Sequence, residues 1–237
     1  MSFAEPNWHG FRRAPSDEEE KPVKLVIFDI DGTLVDSQDF LLEAQRRAFA
    51  AHQIEPPSRQ RSLSIVGLSL NEAFAVLTHE KGPVESLAQA YRDAWALMRD
   101  DPAFDDPLYP GASETVAALA GRDNLLLGIA TGKSRRGVAH LLDRRGWSDW
   151  FSTVQTSDEH PSKPAPDMIF TALAETGASP AATYMIGDTT YDIAMARAAG
   201  VHPIGVAWGY HPPAELHEAG AERIIADFEE LLHLIEG

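Results

Sequence analysis

Three features that many proteins use are missing from this sequence: cysteine, a long apolar run and an excess of positive charge. Its 237 residues include no cysteine, so neither a disulfide framework nor a thiolate metal site is possible, which suits a reducing compartment. No apolar stretch approaches the length that crosses a bilayer, and residues 1–21 are polar and acidic, unlike a signal peptide. We therefore expect a cytoplasmic protein with no membrane partner.

The shortage of positive charge limits the possible partners. Lys and Arg number 20 against 36 Asp and Glu, which gives a formal net charge of −16. Nucleic acid and anionic lipid would be repelled at long range, so we expect neither as a partner. An anionic substrate would need a local group of cations. With 44% hydrophobic residues, the chain is long enough for one sizeable core and a subdomain.

What the sequence does contain is a pair of acids near its start. A run of β-formers over residues 23–28 is followed by Asp29-Ile30-Asp31-Gly32-Thr33. If the run is a buried strand, both carboxylates lie at its end, where open α/β sheets bind their ligands. Gly32 permits a sharp turn, and the backbone amides after it could hold a phosphate. Taken alone, the segment is equally typical of an ordinary Asp-Gly turn.

The pattern along the chain predicts three segments. Residues 1–21 are predicted to be a mobile tail. Helical periodicity predicts a small all-helical domain over residues 36–107. Strands and helices alternate over residues 108–237, which with residues 22–35 are predicted to form one core. Repeated βα units indicate an α/β fold, a doubly wound parallel sheet, with the helical domain inserted after the first strand.

Polar residues recur where the predicted strands end. Thr131 and Gly132 follow one strand, and Asp188 follows another, with Asp192 one helical turn later. Between them, Lys163 lies in a proline-rich loop that precedes a helix. Each feature has an ordinary explanation as a turn, a surface lysine or a helix cap. Their occurrence in order, each at a strand end or a helix start, favours one shared site.

The order of these residues resembles the four-motif signature of the haloacid dehalogenase-like superfamily. The motifs are DxDGT at residues 29–33, ATG at 130–132, KP at 163–164 and GDTxxD at 187–192. The helical segment between the first and second motifs is similar to the small cap of one branch, which includes phosphoglycolate phosphatases. The resemblance implies a Rossmann-like core with a helical cap domain.

The resemblance also implies a role for each motif residue. Asp29 would be the nucleophile that forms an aspartyl-phosphate, and Asp31 the general acid and then the base. Phosphate would be bound by Gly32, Thr131, Gly132 and Lys163, with Thr131 and Lys163 also counted as catalytic. Mg²⁺ would be held by the Asp29 carboxylate, the Asp31 backbone carbonyl and Asp188, with Asp192 orienting this shell. Oxygen donors of this kind suit a hard cation.

Three activities remain open at this point. An Mg²⁺-dependent phosphatase of a small phosphorylated metabolite, with 2-phosphoglycolate as the first candidate, is favoured by the resemblance. A sugar-phosphate mutase is the second, but the related mutases carry a histidine ten residues after the second acid, where this chain has Leu41. The third is a phosphate-binding regulatory protein without turnover. Asp31 disfavours dehalogenase chemistry, because the related dehalogenases lack that acid.

Substrate specificity is expected in the helical segment, since the core motifs hold only the phosphoryl group. Val66-Gly67 resembles the cap loop of the family, so Gly67 is a candidate specificity residue. Arg59 and Arg61 precede this loop and could reach a second anionic group on the substrate. Solvated arginines at a helix start are the more ordinary explanation of this pair. The sequence predicts no particular oligomeric state.

Overall fold

The computed structural model describes residues 23–99, 101 and 106–236, so the predicted tail lies outside the described residues. Over these residues the chain forms six strands and ten helices. The strands are β1 (Lys24–Phe28), β2 (Leu125–Thr131), β3 (Phe151–Thr156), β4 (Thr183–Gly187), β5 (His202–Val206) and β6 (Arg223–Ile225). The helices are α1 (Gln38–Ala51), α2 (Arg59–Leu63), α3 (Leu70–Leu77), α4 (Val84–Met98), α5 (Ala112–Ala120), α6 (Arg135–Arg145), α7 (Asp167–Thr176), α8 (Thr190–Ala199), α9 (Pro213–Ala219) and α10 (Phe228–Glu236).

The strands form one parallel sheet in the order β3-β2-β1-β4-β5-β6. The predicted doubly wound sheet with a helical insertion after its first strand is therefore confirmed. The strand order reverses between β1 and β4, which are neighbours with Phe28 opposite Ile186. Ligands of such sheets bind in the crevice beyond the carboxyl ends of the strands at this reversal. Asp29 and Asp188 are the residues that follow these two strands.

Helices cover both faces of the sheet, which explains why β1 is an unbroken apolar run. Val26 and Phe28 face a cluster that includes Val116 of α5 and Leu231 of α10. The opposite face of the strand carries Leu25 and Ile27, which pack with a second cluster. A strand that is buried on both faces needs apolar side chains at every position. The same packing holds the ends of β1 and β4 at fixed positions beside the crevice.

The helical insertion has its own apolar core. Phe49 of α1, Phe74 of α3 and Leu87 of α4 are buried in one cluster, and the Phe49 and Phe74 rings lie 5.7 Å apart. Two helices of the fold, α2 and α9, have bounds that the sequence does not predict, although a helix start at Arg59 is the ordinary explanation of the arginine pair. Both are short and follow prolines, a pattern typical of loops; Ser58 caps α2 by accepting from Arg61 N, and buried Leu216 anchors α9. Among the described residues, no helix is long and apolar enough to span a membrane.

Candidate active site

The first motif and the strand ends meet as the sequence predicts. Asp29 and Asp188, which follow the neighbouring strands β1 and β4, are both fully enclosed by protein. Gly32 turns the chain with φ +88°, and a β-carbon at this position would lie 2.3 Å from Asp188 Oδ2. No other residue would fit there, because both the backbone conformation and the space require glycine. The turn thus brings the first motif against the acid of the fourth.

Asp29 is the most unusual carboxylate in the crevice. Neither of its oxygens accepts a well-aligned hydrogen bond from the described residues, although Lys163 Nζ lies 2.9 Å from Oδ1 as an ion pair. Burial, only partly offset by the charge of Lys163, raises the pKa of Asp29 to about 6. A buried carboxylate with free lone pairs is costly, so the fold maintains a group that a ligand can engage.

Lys163 links two of the acids. It is completely buried, and its Nζ lies 2.9 Å from Asp29 Oδ1 and donates to Asp192 Oδ1 at 2.6 Å. Burial acts to lower the pKa of Lys163, but the charges of Asp192 and Asp29 outweigh it and raise the pKa above its usual range. The lysine therefore stays charged. The fourth motif holds Asp192 in place as a helix cap, since Oδ2 accepts from Thr189 N at 3.0 Å and from Thr189 Oγ1 at 2.7 Å.

Asp188 is oriented by two groups that the sequence did not single out. Its Oδ1 accepts from Thr33 Oγ1 at 3.0 Å, and its Oδ2 accepts from Tyr210 N at 2.8 Å. Burial, reinforced by the negative charges of Asp192 and Asp29, raises the pKa of Asp188 well above its usual value. Thr33 belongs to the first motif and could have been noticed. Tyr210 lies in a loop without a recognisable pattern, so no sequence signal identifies it.

The donor set fits a divalent cation. Asp29, Asp188 and Asp192 each offer a carboxylate oxygen, and these three oxygens lie within 4.8 Å of one another. Asp29 has unused lone pairs among the described residues, and each oxygen of Asp188 accepts one hydrogen bond from an uncharged donor and keeps a lone pair. Asp192 is more fully engaged, because its Oδ1 pairs with the Lys163 ammonium and its Oδ2 accepts two hydrogen bonds from Thr189. Asp192 is therefore better placed to orient the site than to bind metal. Hard oxygen donors and the crowding of negative charge suit Mg²⁺.

Lys133 also belongs to the site, although its position in the sequence indicates no role. Its Nζ donates to Asp31 Oδ1 at 2.8 Å, and Ser37 Oγ donates to the same oxygen at 2.7 Å. The backbone N–H of Lys133 donates to Thr131 Oγ1 at 3.2 Å, so the second motif and Asp31 are connected. A lysine two residues beyond a strand end was the available signal, but surface lysines at helix starts are common.

Gly132 shows how closely the insertion approaches the core. A β-carbon on Gly132 would lie 2.6 Å from Leu68 O and 2.7 Å from Gly67 O, both backbone atoms of the predicted cap loop. Further contacts join the two parts: Ser69 N donates to Ser162 Oγ at 2.7 Å. The insertion therefore covers the crevice at the predicted phosphate-binding loop.

A cavity of about 440 Å³ lies between the core and the insertion. The predicted residues Asp29, Asp31, Gly67, Thr131 and Gly132 line it. Lys163 and Asp188 are not part of its surface, and Lys163 lies behind Asp29 as its ion-pair partner.

The structure does not bring Arg59 and Arg61 to this cavity. Arg59 contacts Gln38 and Asp39, and Arg61 donates to Val76 O at 2.9 Å. Two other arginines, Arg92 of α4 and Arg136 of α6, line the cavity instead. Both lie on helix faces that carry no motif, so the sequence offered no means of choosing them over the rest.

Comparison with known proteins agrees with this geometry. Residues 26–206 match the family model described as haloacid dehalogenase-like hydrolase, a span that holds all four motifs. The chain belongs to this family.

Three relatives cover nearly the whole chain. A protein of Dickeya dadantii named probable phosphatase IndB is 34% identical, covering 88% of this chain and 91% of its own. A phosphoglycolate phosphatase of Photobacterium profundum is 28% identical, with 90% and 96% covered. Pyrophosphatase PpaX of Bacillus velezensis is 29% identical, with 91% and 97% covered. The names agree on phosphate chemistry and differ in substrate.

A solved structure shares the same architecture. The crystal structure of a hydrolase from Pseudomonas syringae superposes on this family member with a TM-score of 0.78 and 27% identity, covering 90% of this chain and 98% of the other. The agreement extends over both the sheet and the helical insertion, because the matched part is longer than either alone.

Proposed function

We propose that this phosphatase of the haloacid dehalogenase-like family hydrolyses a small phosphorylated metabolite through an aspartyl-phosphate, with Mg²⁺ as cofactor and 2-phosphoglycolate as the first candidate substrate. The observation that carries the proposal is Asp29. It is a buried carboxylate on the cavity wall that accepts no aligned hydrogen bond from the described part of the chain, and it lies beside a buried lysine. A nucleophile needs unshared lone pairs, and a phosphate dianion needs a nearby cation.

The proposed reaction has two steps. In the first, a carboxylate oxygen of Asp29 attacks phosphorus, the bond from phosphorus to the leaving oxygen breaks, and Asp31 gives that oxygen its proton. In the second, Asp31 takes a proton from water, the water oxygen attacks phosphorus, and the bond from phosphorus to Asp29 breaks. Inorganic phosphate and the free carboxylate of Asp29 are restored. Both acids line the cavity, as the two roles require.

The remaining core residues supply binding and charge. Thr131 and the backbone around Gly32 and Gly132 would bind the phosphoryl oxygens. Lys163 would neutralise Asp29 and the phosphate, which otherwise repel each other. Bound Mg²⁺, held by Asp29, the Asp31 carbonyl and Asp188, would neutralise charge on the transferring group. Asp192 would keep Lys163 in place.

We assign substrate choice to the helical insertion, with residues 36–107 as the cap and residues 22–35 and 108–237 as the core. Leu41, Gln45 and Arg92 of this segment line the cavity, as does Arg136 of the core. Two arginines on the wall favour a substrate with a second anionic group, such as the carboxylate of 2-phosphoglycolate. Gly67 contributes backbone rather than a side chain, next to Gly132.

The mutase alternative has less support. Leu41 lines the cavity at the position where the resemblance places the mutase histidine, and a leucine cannot exchange a proton with a sugar hydroxyl. A regulatory protein without turnover is also disfavoured, because the motif acids, Thr131 and Lys163 are all present and buried.

The test is a measurement of kcat/KM across a panel of phosphate esters with Mg²⁺ present. The panel contains 2-phosphoglycolate, p-nitrophenyl phosphate, inorganic pyrophosphate and several sugar phosphates, and both free phosphate and the organic product are quantified. We expect phosphate release that Asp29→Asn abolishes, with the highest kcat/KM for an ester that carries a second anion. Isomerised sugar phosphate without net phosphate release would establish the mutase instead. Absence of any turnover would contradict the proposal.

A further inference from the structure

We propose that Lys133 is a positioning residue for Asp31, which it holds so that one carboxylate oxygen faces the leaving group of the substrate. Within the described residues, both hydrogen bonds to the Asp31 carboxylate reach the same oxygen. Lys133 Nζ lies 2.8 Å and Ser37 Oγ 2.7 Å from Oδ1, while Oδ2 accepts no hydrogen bond from the residues that the structure describes. The inference rests on the proposed function, because it concerns the acid of that reaction.

The two donors fix the plane of the carboxylate. Ser37 is itself held by Tyr210, whose hydroxyl accepts from Ser37 N at 3.1 Å and lies 3.2 Å from Ser37 Oγ. Two directed contacts on one oxygen leave the Asp31 side chain little freedom to rotate. With Oδ1 occupied, Oδ2 is the oxygen available to exchange a proton with a substrate in the cavity.

Lys133 is built into this position rather than lying there as a surface charge. Only 12% of its side chain is exposed, and its backbone N–H is tied to Thr131 Oγ1. Its aliphatic stem crosses Gly137 of α6, where a β-carbon would lie 3.0 Å from Lys133 Cγ and 3.4 Å from Cε. Gly137 lies in the first turn of α6, where its missing side chain leaves room for the lysine stem.

This role predicts a specific kinetic signature. The departing oxygen of an alkyl phosphate needs a proton, whereas p-nitrophenolate leaves without one. Loss of acid positioning should therefore slow the alkyl ester far more than p-nitrophenyl phosphate. The parameter to compare is kcat/KM, because it includes the steps up to departure of the leaving group and excludes hydrolysis of the aspartyl-phosphate.

The decisive variant is Lys133→Met, which keeps the stem and removes the charge. We expect kcat/KM for 2-phosphoglycolate and for 2-hydroxyethyl phosphate, which lacks the carboxylate, to fall by about 30- to 100-fold, and that for p-nitrophenyl phosphate by less than about threefold. The second ester separates loss of an acid from loss of a cation that binds the carboxylate. Lys81→Met, the same change at an exposed lysine of the insertion, should alter none of the three values.

A second variant tests the same role independently, in case Lys133→Met does not fold. Gly137→Ala adds a methyl group under the lysine stem and retains every charge, and alanine favours helix. We expect this variant to lower kcat/KM for the two alkyl esters by about threefold to tenfold relative to kcat/KM for p-nitrophenyl phosphate. Equal losses on all three substrates, or losses confined to 2-phosphoglycolate, would overturn the proposal. If the wild-type protein hydrolyses no ester, the proposed function fails before this inference is reached.

Discussion

The two walls of the cavity differ in how their polar groups are held. On the core wall, Asp31 accepts hydrogen bonds from two side chains, and the Lys163 that supports Asp29 contacts two acids. On the wall formed by the insertion, Gln45 Oε1 is buried without a hydrogen bond among the described residues, and Arg92 has only a 3.4 Å contact with Gln89. The core is preorganised for one reaction, whereas the insertion keeps polar groups free for a ligand.

The largest effect should come from the core nucleophile. We expect Asp29→Asn to lower kcat for p-nitrophenyl phosphate by about 10⁴-fold or more, because an amide oxygen cannot form the acyl phosphate. Phosphate release is the measurement, and circular dichroism checks that the fold is kept. Undiminished turnover would mean that Asp29 is not the nucleophile and that residues of the core wall do not carry out the reaction.

Removal of divalent cations should be nearly as severe. Asp29 and Asp188 are buried close together, so a cation is needed to bring a phosphate dianion beside them. After EDTA treatment and desalting, we expect kcat/KM to fall by about 10³-fold and to return with added Mg²⁺. Activity that survives thorough chelation would contradict the assignment of these acids as metal ligands.

The contact between the two walls at Gly132 can be disrupted by adding a single methyl group. Gly132→Ala would place a methyl group against the backbone oxygens of Gly67 and Leu68, which a closed insertion cannot accept. We expect a fall of about 10²-fold in kcat/KM for 2-phosphoglycolate, because the two walls no longer meet around the substrate. Gly121→Ala, where the nearest atom to the new methyl would lie 3.6 Å away, is the matched control. Unchanged kinetics would mean that this closed packing is not required for turnover.

The preorganised core should also carry a cost in stability. In the metal-free protein the pKa of Asp29 is about 6 against a usual 3.8, so the folded state holds the proton more tightly than the unfolded chain. The stability linked to this group is fully present below pH 3.8 and is lost as the pH rises through 6. Asp29→Asn removes the charge, and above pH 6 we expect the variant to be more stable by about 1–3 kcal/mol.

Urea unfolding in EDTA at pH 4.5 and pH 7.5 measures this difference. The difference in free energy of unfolding between Asp29→Asn and wild type should be smaller at pH 4.5, where the wild-type carboxyl is largely protonated. Asp39→Asn, at a carboxylate whose side chain is 91% exposed, should show no such advantage at either pH. A variant less stable than wild type at pH 7.5 would show that the ion pair with Lys163 outweighs the burial of Asp29.

The same contrast explains what could be predicted from the sequence. Asp29, Thr131, Lys163 and Asp188 follow strands or start helices in a fixed order, so the topology alone brings them together. Lys133 reaches Asp31 because of the direction of its side chain, and Tyr210 reaches Asp188 because of the path of its loop. No local sequence pattern predicts either feature. Arg59 and Arg61 lie close in sequence to the cap loop, yet each side chain contacts partners outside the cavity. Helix rotation decides such cases, and it depends on packing.

The smallest effect should separate recognition from chemistry. Arg92 lines the cavity from the insertion and Arg136 from the core, and within the described residues neither forms a hydrogen bond or ion pair with Asp29 or Asp31. We expect Arg92→Ala and Arg136→Ala each to lower kcat/KM for 2-phosphoglycolate by about fivefold to tenfold, mainly through KM, because a bound carboxylate loses a charged partner. The value for p-nitrophenyl phosphate should stay within about twofold, since that substrate has no second anion.

Arg61→Ala and Arg135→Ala are the matched controls, one from each part of the chain. Arg61 donates to Val76 O, and Arg135 pairs with Glu159; neither lines the cavity. If the controls reduce selectivity as much as the cavity variants, the effect is a general one of surface charge. If Arg136→Ala lowers kcat/KM for 2-phosphoglycolate and Arg92→Ala does not, the core wall both binds the second anion and carries out the reaction. The proposed division of roles between the two walls would then be wrong. If Arg92→Ala and Arg136→Ala lower kcat/KM equally, the substrate contacts both walls, and its recognition requires the insertion to be packed over the core.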